Sequence, residues 1–555
     1  MRKIALQIFC ASCVMLFSLT ASRMMACTNF IVGKNASVDG SVMISYAADD
    51  YGAFGRLYHH AGGTHAKGEM REVVDWESGR YLGKIPEAER TYNVVGNINE
   101  HQVAIGETTF GGREELVDTL GKMDYGSMIY IALERATTAR EAIKIMTSLA
   151  NAYGYASEGE SFSVADKNEA WILELVGKGH WEKGVVWVSV RIPDDCICAH
   201  ANQSRIHTFD MKDKKNVMYA PDVVKFARAR GWYKGSDKDF DFAATYCPLN
   251  FEGARFCEAR VWSFFNRWCY GMDKYFDYAS GKDLKAAPMP LFVKPKTKLG
   301  VKDIIMSMHD HYEGTPLDMT VDAGAGVYVA PYRPSPLVWK YDGKKYFNER
   351  PASTQQSSFV FVAQMRSALP DAVGGVLWFG NDDANMVAFT PLYCSITRMP
   401  ECYATEEADG VTFSWKSAFW VCNWVSNMVY PRYSQMFGDV EKLRDALQNG
   451  WFDRQKSVED RAVALCSTDA SKAVDYLTEY SDTLSANMLS SWKKLGEFLI
   501  VKYNDQVVKP EKGGRFLRNK YSRGETVVRP GFSEQYKKTL VDETGDKYLV
   551  PEEKK

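Results

Sequence analysis

The residue best placed to do chemistry is a cysteine. Cys27 stands where an apolar leader ends and a strand-like run begins, within RMMACTNFIVGKNASVDGSVMISYAADD, residues 23–50. Three fates fit such a residue. It can be a buried structural thiol, the usual condition of a free cysteine. It can be the acylated cysteine of a lipid-anchored protein. Met24-Met25-Ala26 fits that signal poorly, because the position three before the cysteine normally carries a branched aliphatic residue. The chain also enters a strand at once, where a polar tether is usual. Third, a cut before Cys27 gives one residue a thiol and a free α-amine. An α-amine has an ordinary pKa of about 8, so much of it is neutral at physiological pH. It can take the thiol proton, and the thiolate then attacks a carbonyl. A strand starting at that residue would hold nucleophile and base in one rigid place.

His309-Asp310-His311 invites a metal reading, with its two histidines on one face of a strand. No third ligand is signalled, so polar residues satisfied near a loop are the preferred reading. Of twelve cysteines, Cys10 and Cys13 fall in the leader. No CxxC pair with a matching second pair follows, which argues against structural zinc. An exported chain is allowed disulfides, but the spacing of the others, Cys394 and Cys402 among them, fixes no pairing.

The leader itself is informative. Arg2 and Lys3 are followed by an apolar or small run from Ile4 to Leu19, then by Thr20, Ala21 and Ser22. That is the pattern of a secretory signal. The apolar run is shorter than the roughly 20 residues a spanning helix needs, and no later segment reaches that length. The expectation is an exported protein, periplasmic or secreted, with no membrane span. Apolar residues make up 46% of the chain and charged residues 25%, enough for a large buried core. A net charge of −2 gives no electrostatic footprint for nucleic acid.

The elements that must position Cys27 are legible. CTNFIVG (27–33) and SVMISYAA (41–48) read as strands around a turn at Asp39-Gly40, and HQVAIGETTF (101–110) as another. Residues 125–150 carry a helical period, broken where Thr138 and Glu141 take capping-box spacing, so two consecutive helices are predicted. SFSVAD (161–166) and EAWILELV (169–176) flank Lys167-Asn168 as a hairpin, followed by VVWVSV (185–190). Further strands are expected at 357–365, 375–380 and 386–393. Antiparallel groups separated by helices argue for stacked sheets covered by helices, not a doubly wound parallel sheet. Residues 436–504 look helical, and the tail from about 507 is charged with weak periodicity.

The opening from Cys27 to Asp50 resembles that of the C69 family of dipeptidases, the dipeptidase D type of N-terminal nucleophile (Ntn) hydrolases. The resemblance continues in order through NINEHQVAIGETTFGG (97–112), YGSMIYIALERATTAREAI (125–143), SFSVADKNEAWILELVGKGHW (161–181), FEGARFCEARVW (251–262), HDHYEGTPLDMT (309–320) and FGNDDANMVAFTPLY (379–393). It covers about residues 27–430. It implies an α+β fold, a four-layer αββα Ntn-hydrolase sandwich, here with a helical C-terminal extension. The expected organisation is a signal peptide and short propeptide over 1–26, a catalytic domain over 27–430, and an extension with a charged tail over 431–555. Thr20 and Ser22 suit a first cut after Ser22, leaving RMMA (23–26) for autocatalytic removal.

The implied activity is hydrolysis of dipeptides through a Cys27 thioester, with the Cys27 α-amine as base and no cofactor or metal. In the wider cysteine Ntn class an aspartate lies beside the nucleophile. Asp49 is similar in position, with Asp50 as its rival. That class usually has an arginine three residues before the aspartate; here Tyr46 stands there, and cannot stabilise a thiolate as a full charge would. Asn202 resembles the class's oxyanion asparagine, and the backbone N–H of Thr109 falls where a second oxyanion donor is found. Arg260 resembles a late arginine that steadies the site, with Arg255 close by. Glu107 and Asp382-Asp383 are candidates to bind a substrate's free amino group, and Tyr46 to contact substrate. The alternatives are an amidase of the bile-salt hydrolase or penicillin V acylase type, and a lipid-anchored, non-catalytic binding protein. A homo-oligomer is left open.

Overall fold

A computed structural model describes residues 27–551 except Arg523, Glu525 and Thr526. The expected leader and propeptide, residues 1–26, lie outside the described residues. The fold is α+β. One antiparallel sheet has seven strands, in spatial order Phe292–Val293, Ile197–His200, Asn29–Val32, Val42–Asp49, Ser357–Met365, Val376–Asn381 and Thr390–Tyr393. The other has eight, in the order Val217–Tyr219, Val185–Ile192, Ala170–Gly177, Gly159–Ala165, Ala104–Gly111, Ile98–Asn99, Arg90–Val95 and His59–Thr64. The sheets meet where Val42–Asp49 and Asn29–Val32 pack on Ala104–Gly111.

Both faces of the central strands are covered, and the sequence shows why they tolerate it. Every residue of Val42–Asp49 and of Ser357–Met365 is buried, as near-continuous runs of apolar and small residues allow. Gly106 lets the sheets approach. A Cβ there would lie 2.8 Å from Asn29 Nδ2 and 3.2 Å from Tyr46 Cβ. This close approach brings the neighbouring Glu107 to Tyr46.

Helices Tyr125–Leu133 and Ala139–Tyr153 cover the eight-stranded sheet. Ile131, Ile143 and Met146 join Val164, Trp171 and Leu173 in one apolar cluster. The predicted break between the helices is present. Thr138 caps the second by accepting from Glu141 N, while the Glu141 carboxylate accepts from Thr137 N at 2.8 Å, one residue earlier than a regular capping box. Helices Ala259–Trp268, Val301–Met308 and Ala418–Val429 pack on the seven-stranded sheet. So does the long helix Ala470–Tyr503, paired with Tyr433–Cys466. Val440, Trp451, Leu477 and Trp492 belong to the same core as the strands. Arg366, just past the end of the strand Ser357–Met365, forms a buried two-pronged pair with Glu459 of the helix at 2.8 and 2.7 Å.

Three expectations are corrected. His309-Asp310-His311 is not on a strand. It follows the helix Val301–Met308, whose buried Val301, Ile304, Ile305 and Met308 have helical spacing. The strand expected from 386 starts at Thr390, because the Asp383 carboxylate caps a short 3-10 turn over Ala384–Met386. The tail contains a helix, Glu534–Thr544, although none of its residues is buried. All ten described cysteines are free. Among the described residues, no helix is long and apolar enough to cross a membrane.

Candidate active site

Cys27 is fully buried at the head of the strand Asn29–Val32, in the centre of the seven-stranded sheet. Its thiol donates to Glu107 Oε1 at 3.6 Å and lies 3.9 Å from the Tyr46 hydroxyl. Tyr46 also donates to Glu107. Burial pushes the thiol well above its ordinary pKa, and the carboxylates of Glu107 and Asp49 push it further; the Asp49 backbone N–H and the Tyr46 hydroxyl act in the opposite direction. The resting site therefore holds a thiol and not a thiolate, and attack requires a base.

Asp49 ends the strand Val42–Asp49. Burial raises its carboxyl to about 6, against the pull of Arg350, whose Nη2 is 2.6 Å from Asp49 Oδ2, and of Ser357, whose hydroxyl donates to Oδ1 at 2.5 Å. Arg350 is itself buried, and desolvation lowers it to about 10. The cation that Tyr46 cannot supply is thus present, delivered from a distant loop. Asp50 lies past the strand end and uses its backbone N–H to donate to Gln356 O at 3.0 Å.

Arg260 ties the nucleophile to the opposite wall. Its Nη1 donates to Cys27 O at 2.6 Å and Thr28 Oγ1 at 2.7 Å. Its Nη2 donates to Ala201 O at 3.1 Å and Asn202 Oδ1 at 2.9 Å. Its Nε donates to Phe256 O at 2.6 Å, where the π-turn Gly253–Glu258 leads into the helix that carries it. Arg255 instead pairs with Glu349, at 2.9 Å from Nε.

Asn202 has φ of 63°, a left-handed conformation that asparagine tolerates better than most residues. Its Nδ2 donates to Thr109 O at 2.7 Å. The loop that carries it is anchored by the buried Glu174 carboxylate, which accepts from the backbone N–H of Arg205 at 2.6 Å and of Ile206 at 3.2 Å. Thr109 donates its hydroxyl to Glu160 at 2.8 Å. Thr109, Asn202, Tyr125, Glu160 and Cys257 line a cavity of about 560 Å³.

Cys27, Tyr46, Asp49, Glu107, Thr109, Asn202 and Arg260 are therefore brought together. Asp382 is not. It is buried under the helix Ala418–Val429, accepts from Asn423 at 3.2 Å and from Ser426, and does not line the cavity. Asp383 likewise accepts from Ser353 and Tyr430. His309 and Asp310 border a separate cavity. His311 pairs with Glu313 at 3.0 Å. Among the described residues, no group of three or more His, Cys, Asp or Glu is placed to hold a metal.

Sequence reasoning missed Arg350, Ser357, Glu160 and Tyr125. Arg350, in NERPAS, carries no local signal. Glu160 does: it is an acid inside GESFSVA, a strand buried at every position.

A profile of Peptidase family C69 matches residues 26–62 and 64–446. The chain is 26% identical over 500 residues to a probable dipeptidase of Latilactobacillus sakei, covering 86% of this chain and 97% of that protein. It is 27% identical over 390 residues to a probable dipeptidase of Salmonella dublin, covering 67% and 81%. Dipeptidase A of Lactobacillus helveticus is 24% identical over 441 residues, covering 75% and 84%.

Proposed function

The chain belongs to peptidase family C69, and from that premise we propose that it is an exported cysteine dipeptidase with an Ntn-hydrolase sandwich and Cys27 as its N-terminal nucleophile. The observation that carries this reading is the convergence on one buried residue, Cys27, of Arg260 at its carbonyl and of the Asp49 N–H and Glu107 at its thiol, beside a cavity walled by Asn202 and Thr109.

Loss of residues 1–26 frees the Cys27 α-amine. The neutral amine takes the thiol proton while sulfur attacks the peptide carbonyl carbon, giving a tetrahedral oxyanion. The Asn202 side-chain amide and the Thr109 backbone N–H stabilise that oxyanion. On collapse the C–N bond breaks, and the departing amine receives the proton from the Cys27 ammonium. Water then attacks the thioester, giving its proton to the same amine, and the thiol leaves reprotonated. Arg260 is a positioning residue: it fixes the Cys27 carbonyl and Asn202 Oδ1, and so the separation of nucleophile and oxyanion donor. Asp49, held by Arg350 and Ser357, offers a buried carboxylate to the ammonium formed during the reaction.

The test is a panel of free dipeptides incubated with the purified processed enzyme. Release of both amino acids, abolished by thiol alkylation, is the expected result. Cleavage of conjugated bile salts or penicillin V with no dipeptide hydrolysis would transfer the chain to the amidase reading. No hydrolysis and a lipid on Cys27 would favour the anchored binding protein. Asn202→Ala is expected to lower kcat by about 10²–10³-fold with little change in KM, as for loss of one oxyanion donor; an unchanged kcat would remove Asn202 from the mechanism.

A further inference from the structure

The cavity beside Cys27 has a marked chemical bias. Asp75, Glu77, Glu158, Glu160 and Glu252 line it, and among the described residues no lysine, arginine or histidine does. A rim of acids alone would be an ordinary solvated surface. Glu160 differs from the others because it is fully buried. Its Oε1 accepts from Thr109, while Oε2 has no hydrogen-bond partner. Glu107 is in the same condition: it is fully buried, Oε1 accepts from Tyr46 and Cys27, and Oε2 has no donor.

The two carboxyls are diagonal neighbours. Thr109 pairs with Glu160 across the adjacent strands, and Glu107 lies two residues before Thr109. They are close enough for Glu107 to push the Glu160 carboxyl up. Two buried oxygens without donors, that of Glu107 beside the thiol and that of Glu160 on the wall of a cavity where no described lysine, arginine or histidine stands, lack a hydrogen-bond donor with positive charge.

We propose that Glu160 and Glu107 receive the free α-ammonium of the substrate's amino terminus, so that the enzyme selects peptides whose first residue is unblocked. This rests on the dipeptidase reading and adds to it a specificity determinant. The geometry limits the chain length on that side. Glu107 lies beside both the thiol and Glu160, so an ammonium held by the pair leaves space for one residue before the scissile carbonyl.

The empty pair also has a protonation signature. Burial raises both carboxyls, and Glu160 is raised further by its proximity to Glu107. The groups around them are the Cys27 thiol, the hydroxyls of Tyr46, Tyr125 and Tyr155, and the Glu77 carboxylate. Burial keeps the thiol and those hydroxyls neutral, so among the described residues no cation there balances two carboxylates. An arriving ammonium favours the ionised pair, lowers its pKa and expels a proton. Affinity for the free amino terminus is therefore expected to weaken as pH falls below neutrality.

The experiment compares Ala-Ala with N-acetyl-Ala-Ala. The wild-type processed enzyme is expected to favour Ala-Ala by about 100-fold or more in kcat/KM, as for a site left with unpaired buried groups. Glu160→Gln is expected to shrink that ratio by about 30-fold, mainly through KM for Ala-Ala, and Glu160→Asp to restore part of it. Calorimetric titration of Cys27→Ala protein produced to begin at residue 27, since the variant cannot remove its own propeptide, reads binding without turnover and needs no change at Glu160. Binding of Ala-Ala with proton release, and none of N-acetyl-Ala-Ala, is expected. Equal handling of the two peptides, or a ratio unmoved in Glu160→Gln, would overturn the assignment. Absence of hydrolysis with ammonium-dependent binding intact would instead count against the dipeptidase reading.

Discussion

Cys27→Ala is expected to abolish dipeptide hydrolysis, lowering kcat by at least about 10⁴-fold, while the folded protein persists. Burial pushes up the Cys257 thiol on the cavity wall, which also lacks an α-amine to act as base, so removing the Cys27 thiol deletes the atom that forms the thioester. The Glu107 carboxylate is its close polar neighbour, at 3.6 Å, but is held by Tyr46 and buried. The cost to stability is small by comparison. The thiol makes only weak sulfur hydrogen bonds, and removing one buried sulfur from a site with a cavity beside it costs about 1–2 kcal/mol. Cys27→Ser keeps a hydroxyl in place of the thiol and should fall between the two. An alcohol is a far weaker acid than a thiol, so the same amine produces much less nucleophile. The checks are kcat on a cleavable dipeptide and the thermal midpoint of the same preparation. Full activity in Cys27→Ala would remove Cys27 from catalysis.

The second large effect concerns Arg260. Arg260→Ala leaves the carbonyls of Cys27, Ala201 and Phe256, the Thr28 hydroxyl and Asn202 Oδ1 without their donor, all at the centre of the protein. Each orphaned buried group costs about 1–3 kcal/mol, and the costs are not additive because the neighbours relax together. A loss of about 3–5 kcal/mol is expected, as when one partner of a buried charged network is removed. Arg260→Lys separates position from charge. A lysine keeps the charge but cannot reach five acceptors with a rigid planar fork. It should fold, retain a KM within about threefold of wild type, and lose about 10²-fold in kcat, because nucleophile and oxyanion donor drift apart. Urea unfolding of both variants, with steady-state kinetics of the lysine variant, provides the check. A lysine variant with normal kcat would reduce Arg260 to a structural residue.

Much of this site is legible in the sequence. Cys27 announced itself by standing between a leader and a strand, and the strands around it by runs apolar enough to be buried on both faces. Asp49, Glu107 and Thr109 lie on those strands, so their proximity follows from pairing the strands correctly. What could not be read depends on distance along the chain. Arg350 meets Asp49 across 301 positions from a loop with no regular period. Tyr46, where an arginine was expected, gave no hint that a distant residue supplies the cation. The Glu107–Glu160 contact needs the register of two strands separated by two helices, and a shift of one residue would send every side chain to the other face. Asp382 was misleading because an acid in a short loop resembles a ligand. In the fold it is consumed by Ser426 and Asn423 on a covering helix. His309 and His311 have the two-residue spacing of a strand face, but His309 caps the helix Val301–Met308.

The most direct test of the nucleophile-plus-base mechanism is the mass of the N-terminal peptide of active enzyme produced with its leader. The mechanism predicts a peptide beginning at Cys27 with a free amine, and activity that rises in proportion to the fraction of chains so processed. Fully active enzyme beginning at Arg23 or earlier, or carrying a lipid on Cys27, would contradict it, because the amine that must take the thiol proton would then be part of an amide, or the thiol that must attack would be a thioether.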